Sequence, residues 1–231
     1  MQEKRYELKD QVLYLQDNEL NLNIAEPFNL PYLPEDLSLE KVQDYSLNVK
    51  RDFSGNPKEI FLEKDGLLHG EKKLFYDGTR LCAKMFYKEG KLHGPSSFYS
   101  KDGVVLSKSF FYEGVKQGLV IQNYLNGKLY CIQSFKDGKR EGRQIYYFDN
   151  QKIKTVIHYQ NGLIQGEVYL YWSDGEIRRR CFFKDGKKEG IEEIYDKKGN
   201  LISYGEYHNN LAVGVHKRWN EEGKLISQTP Y

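Results

Sequence analysis

The sequence has few cysteines and no long apolar run. Its three cysteines, Cys82, Cys131 and Cys181, are an odd number without a CxxC pair, so their spacing indicates neither a disulfide framework nor a zinc site. No stretch reaches the roughly 18 apolar residues of a membrane-spanning helix. Residues 1–5 lack the apolar core of a signal peptide. We therefore expect a cytoplasmic protein in a reducing compartment, with secretion that needs no signal peptide as the alternative.

The chain also has little net charge and no catalytic motif. Its 35 basic and 33 acidic residues give +2, a balance that argues against nucleic-acid binding. Residues 1–50 hold five basic and ten acidic residues, which leaves 30 and 23 for the rest of the chain. No phosphate loop, GxSxG motif or metal-ligand spacing occurs. The sequence therefore predicts no enzyme, no catalytic or metal-binding residues and no cofactor.

What the sequence does have is a glycine pattern that recurs every 24 residues. The clearest copy runs from Phe183 through Gly186 to Gly190. Such a fixed, short period is typical of a repeat protein in which each unit packs on its neighbours. We interpret the first and the second glycine of the pattern as structural turn residues. In the last repeat, Asn210 stands in place of the first glycine. These glycines are Gly66, Gly70, Gly90, Gly94, Gly114, Gly118, Gly138, Gly142, Gly162, Gly166, Gly186, Gly190 and Gly214.

Each repeat has the pattern of a β-hairpin. Residues 166–172 and 176–183 are β-prone, and Ser173-Asp174-Gly175 separates them. Asp-Gly between two such runs predicts a hairpin with a primed turn. In the fourth repeat Asn150-Gln151 replaces this third glycine, and Asn tolerates a positive φ. The sequence therefore predicts an all-β fold of consecutive antiparallel hairpins.

The N-terminal part of the chain departs from the repeat. We assign residues 1–44 to an N-terminal cap segment, whose prolines Pro27, Pro31 and Pro34 form an extended connector. Within it, residues 5–24 alternate apolar and polar side chains and predict a hairpin that turns at residues 16–19. Residues 45–231 form the repeat array, with a degenerate half-repeat at 45–62 around Gly55 and seven repeats from about residue 63.

The repeats resemble the bacterial variant of the MORN repeat, often described as a YwqK-type antitoxin family. The resemblance rests on an aromatic residue and two glycines at the spacing found from Tyr87 to Gly94 and from Tyr159 to Gly166. It implies an elongated, twisted antiparallel sheet of consecutive β-hairpins. It also implies a binding protein, because the family includes scaffolds, lipid-contacting modules and suspected immunity proteins.

Several surface residues are candidates for contacts with a partner. Alternation along a strand places Arg178 and Arg180 on one face and Arg179 on the other, with Arg178 and Arg180 the more exposed. Their basic charge favours an acidic protein as the partner. The resemblance implies that this partner is a toxin or effector and that the chain is an antitoxin-like or immunity-like scaffold. The alternatives are a peripheral module for anionic lipid and a glycan-binding repeat protein. The candidate partner-binding residues are Arg178, Arg180, Lys184, Lys187, Lys188, Tyr147, Tyr171, Tyr195 and Trp219.

One repeat position carries two of the five histidines. His69 and His93 directly precede the second glycine, where other repeats have glutamine, glutamate and Val213. A metal-binding or catalytic position would not accept histidine, glutamine, glutamate and valine in turn. We therefore interpret this as a surface position of the repeat.

Overall fold

The computed structural model describes residues 45–231 and the backbone of two short strands near the N-terminus. These strands, β1 (Tyr6–Lys9) and β2 (Val12–Leu15), pair antiparallel with Lys9 opposite Val12. This hairpin therefore reverses between Lys9 and Val12, whereas the sequence predicted a reversal at residues 16–19. The proline-containing connector lies outside the described residues.

The remaining elements of the described residues are all β-strands. Paired strands run antiparallel, each with its neighbour in chain order except that β10 also pairs with β12, and this confirms the predicted all-β fold of consecutive hairpins. The strands are β3 (Ser46–Arg51), β4 (Pro57–Lys64), β5 (Leu67–Phe75), β6 (Leu81–Lys88), β7 (Lys91–Tyr99), β8 (Val105–Tyr112), β9 (Val115–Asn123), β10 (Leu129–Lys136), β11 (Lys139–Arg140), β12 (Gly142–Tyr147), β13 (Ile153–Gln160), β14 (Leu163–Tyr171), β15 (Ile177–Lys184), β16 (Lys187–Tyr195), β17 (Leu201–His208), β18 (Leu211–Trp219) and β19 (Leu225–Pro230).

Backbone contacts divide the chain into two compact units. The first comprises Met1–Ser96 and Ser109–Leu119, and its strands β3 to β6 pair in sequence. The second comprises Ser97–Lys108 and Val120–Tyr231, and contains the paired strands β10 to β19. The second unit contains all nine candidate partner-binding residues.

The first glycine of each repeat lies in a two-residue turn between hairpins. At the turn from β15 to β16, Asp185 and Gly186 have φ values of 51° and 77°. Two successive positive φ values define the primed turn that matches strand twist. Asn209 and Asn210 adopt the same conformation, at 51° and 71°, which explains how asparagine replaces this glycine. The Gly186 amide also donates to the Ile164 carbonyl of the preceding repeat at 2.9 Å.

The third glycine forms a different turn from the one predicted. Gly175 has a φ of 103°, but Asp174 does not have a positive φ. The Gly175 amide donates to the Trp172 carbonyl at 3.0 Å, and the Trp172 amide donates to the Glu176 carbonyl at 2.8 Å. The prediction of a primed turn here is therefore wrong. The longer connection allows an ordinary turn followed by one left-handed residue, the usual form of a three-residue hairpin loop.

In the fourth repeat, Gln151 and not Asn150 takes the left-handed conformation, with a φ of 65°. Its side-chain Oε1 accepts from the Leu129 amide at 3.2 Å, and its Nε2 donates to the Leu129 carbonyl at 3.1 Å. These bonds join the turn to the preceding hairpin. They offset the strain of a non-glycine residue at positive φ.

The second glycine of the repeat is not a turn residue. Gly166 has a φ of 80° but lies within β14, opposite Phe183. Beside it the register between β13 and β14 shifts between Ile157 and Tyr159, so the strand contains a bulge. The assignment to turns is therefore wrong for the second series, all of which lie in strands at positive φ: Gly70, Gly94, Gly118, Gly142, Gly166, Gly190 and Gly214.

Gly186→Val should lower the free energy of unfolding by about 2 kcal/mol, because a β-branched residue resists the left-handed conformation. Its Cβ would also lie 3.4 Å from Leu163 Cδ2. The matched control is Gly186→Asn, which copies Asn210 and should cost clearly less. Urea denaturation of the three proteins measures the difference, and equal losses for the two variants would contradict the turn assignment.

Strands β14 to β18 have one buried and one open face. On the buried face, Val168, Cys181, Glu192 and Gly205 lie opposite one another on successive strands, and all four are buried. The open face carries the alternate residues, so its side chains point to the other side of the sheet.

Candidate interaction surface

The centre of the open face is a row of polar and aromatic side chains. Tyr169, Arg180, Glu193, Tyr204 and Lys217 lie directly opposite one another on β14, β15, β16, β17 and β18. Arg180 is exposed, and the others are half-buried. Cross-strand neighbours at this spacing interact directly, so the row behaves as one surface.

Carboxylates hold the polar groups of this row in place. Arg180 Nη2 lies 2.6 Å from Glu193 Oε2, and the Tyr195 hydroxyl donates to the same oxygen at 3.0 Å. The Tyr204 hydroxyl donates to Glu206 Oε1 at 2.6 Å, and Tyr169 donates in the same way to Glu167. These side chains therefore have defined orientations before any partner binds.

The same contacts keep the phenols protonated. The hydrogen bond to the Glu206 carboxylate raises the pKa of Tyr204, and the bond to Glu167 raises the pKa of Tyr169. The charge of Glu193 raises the pKa of Arg180. Tyr169 and Tyr204 thus act as hydrogen-bond donors to these carboxylates.

An exposed apolar stripe borders this row. Phe182, Ile191 and Val215 are each two residues from a member of the row, so strand alternation places them on the open face. Their exposed fractions are 40%, 46% and 37%. Glu167 lies directly opposite Phe182, and Glu206 lies opposite Ile191. We call Phe182, Ile191 and Val215 the apolar stripe.

The predicted arginine cluster is divided in the structure. Arg178 and Arg180 are exposed and Arg179 is half-buried, which confirms the predicted order of exposure. The Arg178 guanidinium lies 4.8 Å from the ring centre of Trp172, and Lys197 Nζ lies 5.7 Å from the same ring centre. Arg180 belongs to the open face, where Glu193 neutralises it.

The three candidate lysines also separate. Lys184 and Lys187 are exposed and face each other across the turn. Lys188 instead points to the buried face, where its Nζ lies 3.0 Å from Glu192 Oε1 and 4.0 Å from the ring centre of Tyr207. Of the six basic residues of this region, Arg179 and Lys188 therefore pair with Glu192 on the buried face, and the other four lie on the side of Arg180.

The candidate aromatic residues differ in exposure. Tyr171, Tyr195 and Trp219 are half-buried. Tyr147 is only 3% exposed, and Gln144 and Ile145 on the same strand are at 0% and 2%. Both faces of β12 are thus covered, and Tyr147 belongs to the core. Its assignment to a partner-binding surface is wrong.

Sequence reasoning missed the apolar stripe and the carboxylates beside it. Alternation along β15 places Phe182 on the same face as Arg180. The same alternation on the neighbouring strand β16 places Ile191 with Glu193. Sequence reasoning also missed Trp172, because this aromatic side chain is aspartate in the next repeat, at Asp196.

The position before the second glycine has a structural role. Its side chain accepts a hydrogen bond from the amide of a turn residue 20 positions later, as Glu189 Oε2 does from Asn209 at 2.9 Å. The requirement for an acceptor explains why histidine, glutamine and glutamate alternate here. The other described bonds of this type run from the amides of Glu113 to His93, Asn161 to Glu141, and Asp185 to Gln165.

Two further kinds of site were sought in the described part of the chain. It contains no group of three or more side chains that could hold a metal ion. Residues 45–231 and the two N-terminal strands include no helix long and apolar enough to cross a membrane.

Comparison with known families finds a match over three segments of the chain. The family model of the MORN repeat variant matches residues 116–137, 188–209 and 212–231. Each match begins two residues before a second glycine, at Lys116, Lys188 and Ala212. These matches support a MORN-type repeat protein and indicate a repeat-based binding scaffold.

No curated protein matches the sequence. Among solved structures, one described as the crystal structure of TcdB2-TccC3-Cdc42 is 15% identical over 80% of this chain and 12% of that chain, with a TM-score of 0.22. A likeness this low contributes nothing to the assignment of function.

Proposed function

We propose that this protein is a non-enzymatic scaffold that binds another protein through the open face of β14 to β18. The observation that carries the proposal is the apolar stripe, three exposed apolar side chains beside a row of oriented tyrosines and an arginine. Aromatic residues and arginine are the side chains that contribute most to protein–protein binding energy.

The fixed orientation of the tyrosine side chains on the open face adds to this argument. Binding normally costs about 0.5–1.5 kcal/mol for each mobile side chain that becomes fixed. Tyr195 and Tyr204 are already held by Glu193 and Glu206, so part of that cost has been met during folding. The face is therefore preorganised for a partner.

An antitoxin-like or immunity-like role is the more specific form of this proposal. In it, the bound protein is a toxin or effector, and the chain is a bacterial, YwqK-type repeat protein that acts in the cytoplasm. This form rests on the resemblance of the repeats to that family.

A module for anionic lipid is the main alternative. Each lysine or arginine near an anionic membrane contributes about 1 kcal/mol to such binding. Arg179, Arg180 and Lys188 already pair with Glu192 or Glu193, which reduces the charge available to lipid. This pairing favours a protein partner.

The test compares wild type with two variants that each place a charge on an exposed apolar residue. Ile191→Glu alters the apolar stripe, whereas Leu125→Glu alters a residue that is 75% exposed in a turn away from it. We expect a protein captured from the source cells to bind wild type and Leu125→Glu equally, and Ile191→Glu at least tenfold more weakly. Equal binding by all three proteins would contradict the proposal, as would strong binding of the wild-type chain to anionic vesicles without a protein partner.

A further inference from the structure

We infer that His93 is a pH-sensitive latch: its neutral imidazole holds the turn between β8 and β9, and protonation releases that turn. His93 occupies the position before the second glycine, whose side chain accepts a hydrogen bond from a turn amide of the next repeat. This role is separate from the proposed function, because His93 and the turn belong to the first compact unit, whereas β14 to β18 belong to the second.

The turn from β8 to β9 is attached to strand β7 at two points. The Gly114 amide donates to the Leu92 carbonyl at 2.7 Å, and the Glu113 amide donates to His93 Nδ1 at 3.4 Å. The first bond joins backbone groups, which do not titrate. The second bond needs an acceptor on the side chain before the second glycine, so the chemistry of that side chain decides whether the attachment responds to pH.

Other repeats place different acceptors at this position. A glutamine oxygen accepts a hydrogen bond at any pH, and a carboxyl group keeps an acceptor oxygen when it is protonated. An imidazolium carries a proton on both ring nitrogens and accepts no hydrogen bond. Histidine is therefore the one acceptor of the three that protonation removes. The other described acceptors are Glu141, for the Asn161 amide at 2.6 Å, Gln165, for the Asp185 amide at 2.7 Å, and Glu189, for the Asn209 amide at 2.9 Å.

The surroundings of His93 disfavour its protonated form. Its side chain is buried, and its ring centre lies 5.0 Å from that of Tyr112 at the end of β8. Burial lowers the pKa of His93 below its ordinary value of 6.5, and the positive charge of Lys88 on β6 lowers it further. His69 on β5 acts in the same direction, whereas the carboxylate of Glu113 raises the pKa. The neutral, hydrogen-bonded form is thus the resting form at neutral pH.

The direction of the pH effect follows from the lowered pKa. Between the folded and the unfolded value, the unfolded chain binds the proton and the folded chain does not, so acidification favours unfolding. The latch therefore contributes its full stabilisation above about pH 6.5, and this contribution is lost as the pH falls through the folded pKa. A turn held by glutamine has no such dependence.

The experiment is an NMR titration of the full chain from about pH 8 to about pH 5, where histidine ordinarily titrates and carboxyl groups do not. It follows the imidazole of His93 and the backbone amides of Glu113 and Asp185. We expect the Glu113 amide signal to shift with the same midpoint as the His93 imidazole, and that midpoint to lie below 6.5. The Asp185 amide, which is held by Gln165, should not shift over this range.

Two variants exchange the side chains that the repeats already use at this position. His93→Gln should abolish the pH-dependent shift of the Glu113 amide, and Gln165→His should give the Asp185 amide a shift of its own. In urea denaturation, the free energy of unfolding of wild type should fall relative to that of His93→Gln as the pH is lowered through the same range.

The inference fails if the Glu113 amide does not follow His93, or if the midpoint of His93 lies at or above 6.5. Both results come from the wild-type chain, so they do not depend on whether a variant folds. A Glu113 shift that survives His93→Gln would also overturn it, as would an Asp185 amide that stays unresponsive in Gln165→His.

Discussion

Glu192→Ala should lower the free energy of unfolding by about 3 kcal/mol, the low end of the range for breaking a buried ion pair. The Glu192 side chain is 11% exposed. Its Oε1 accepts from Arg179 Nε at 2.7 Å and lies 3.0 Å from Lys188 Nζ. Without this carboxylate, the like charges of Arg179 and Lys188 remain close together and lose the acidic group that they share.

The matched control is Glu193→Ala, one residue along the same strand. Glu193 pairs with Arg180 on the open face, where the glutamate and arginine side chains are 16% and 46% exposed, against 11% and 36% for Glu192 and Arg179. Glu192 also pairs with a second cation, Lys188, so Glu193→Ala should cost less than Glu192→Ala. Chemical denaturation of both variants measures the difference, and equal losses would refute the distinction between the two faces.

The pH dependence of the free energy of unfolding should identify the Glu192 carboxylate as the group responsible. Burial raises the pKa of Glu192, but hydrogen bonds from Lys188 and Arg179 outweigh it and hold the pKa below its ordinary value of 4.5. Because the pKa is lower in the folded state, the stabilisation is complete above about pH 4.5 and is lost as the pH falls through the folded pKa. The stability difference between wild type and Glu192→Gln should therefore narrow below that pH.

Gly205→Ala should lower the free energy of unfolding by about 3 kcal/mol, the upper end of the range for overpacking a core. A Cβ on Gly205 would lie 2.7 Å from His216 Cε1 and Nδ1. The imidazole has little freedom to move, because its centre is 5.2 Å from the Tyr207 ring centre and 4.5 Å from that of Tyr231. Its Nε2 also lies 2.9 Å from the Glu206 carbonyl oxygen.

A second substitution separates this clash from a general intolerance of alanine. His216→Ser makes room for the new methyl group, so adding it to Gly205→Ala should recover part of the lost stability. Thermal unfolding of wild type, both single variants and the double variant measures the coupling. Strictly additive losses would show that His216 is not what excludes a side chain at Gly205.

The sequence by itself predicted the repeating backbone. Its period of 24 residues located every hairpin from Leu67 to Pro230, because each turn depends on a few adjacent residues. The positive φ of Gly186 is such a local property, since only glycine and a few polar residues adopt it at low cost. The greater exposure of Arg178 and Arg180 was also predictable, because side chains alternate between the two faces along a single strand.

The tertiary structure alone decided which charges are available to a partner. Glu192 and Glu193 are adjacent, yet one pairs with Arg179 on the buried face and the other with Arg180 on the open face. Each pair joins residues 13 positions apart, through a strand register that local sequence does not specify. Tyr147 likewise shares its repeat position with the half-buried Tyr171 but is buried by its surroundings. Burial and charge pairing depend on neighbouring strands, whereas a hairpin depends mainly on its own turn.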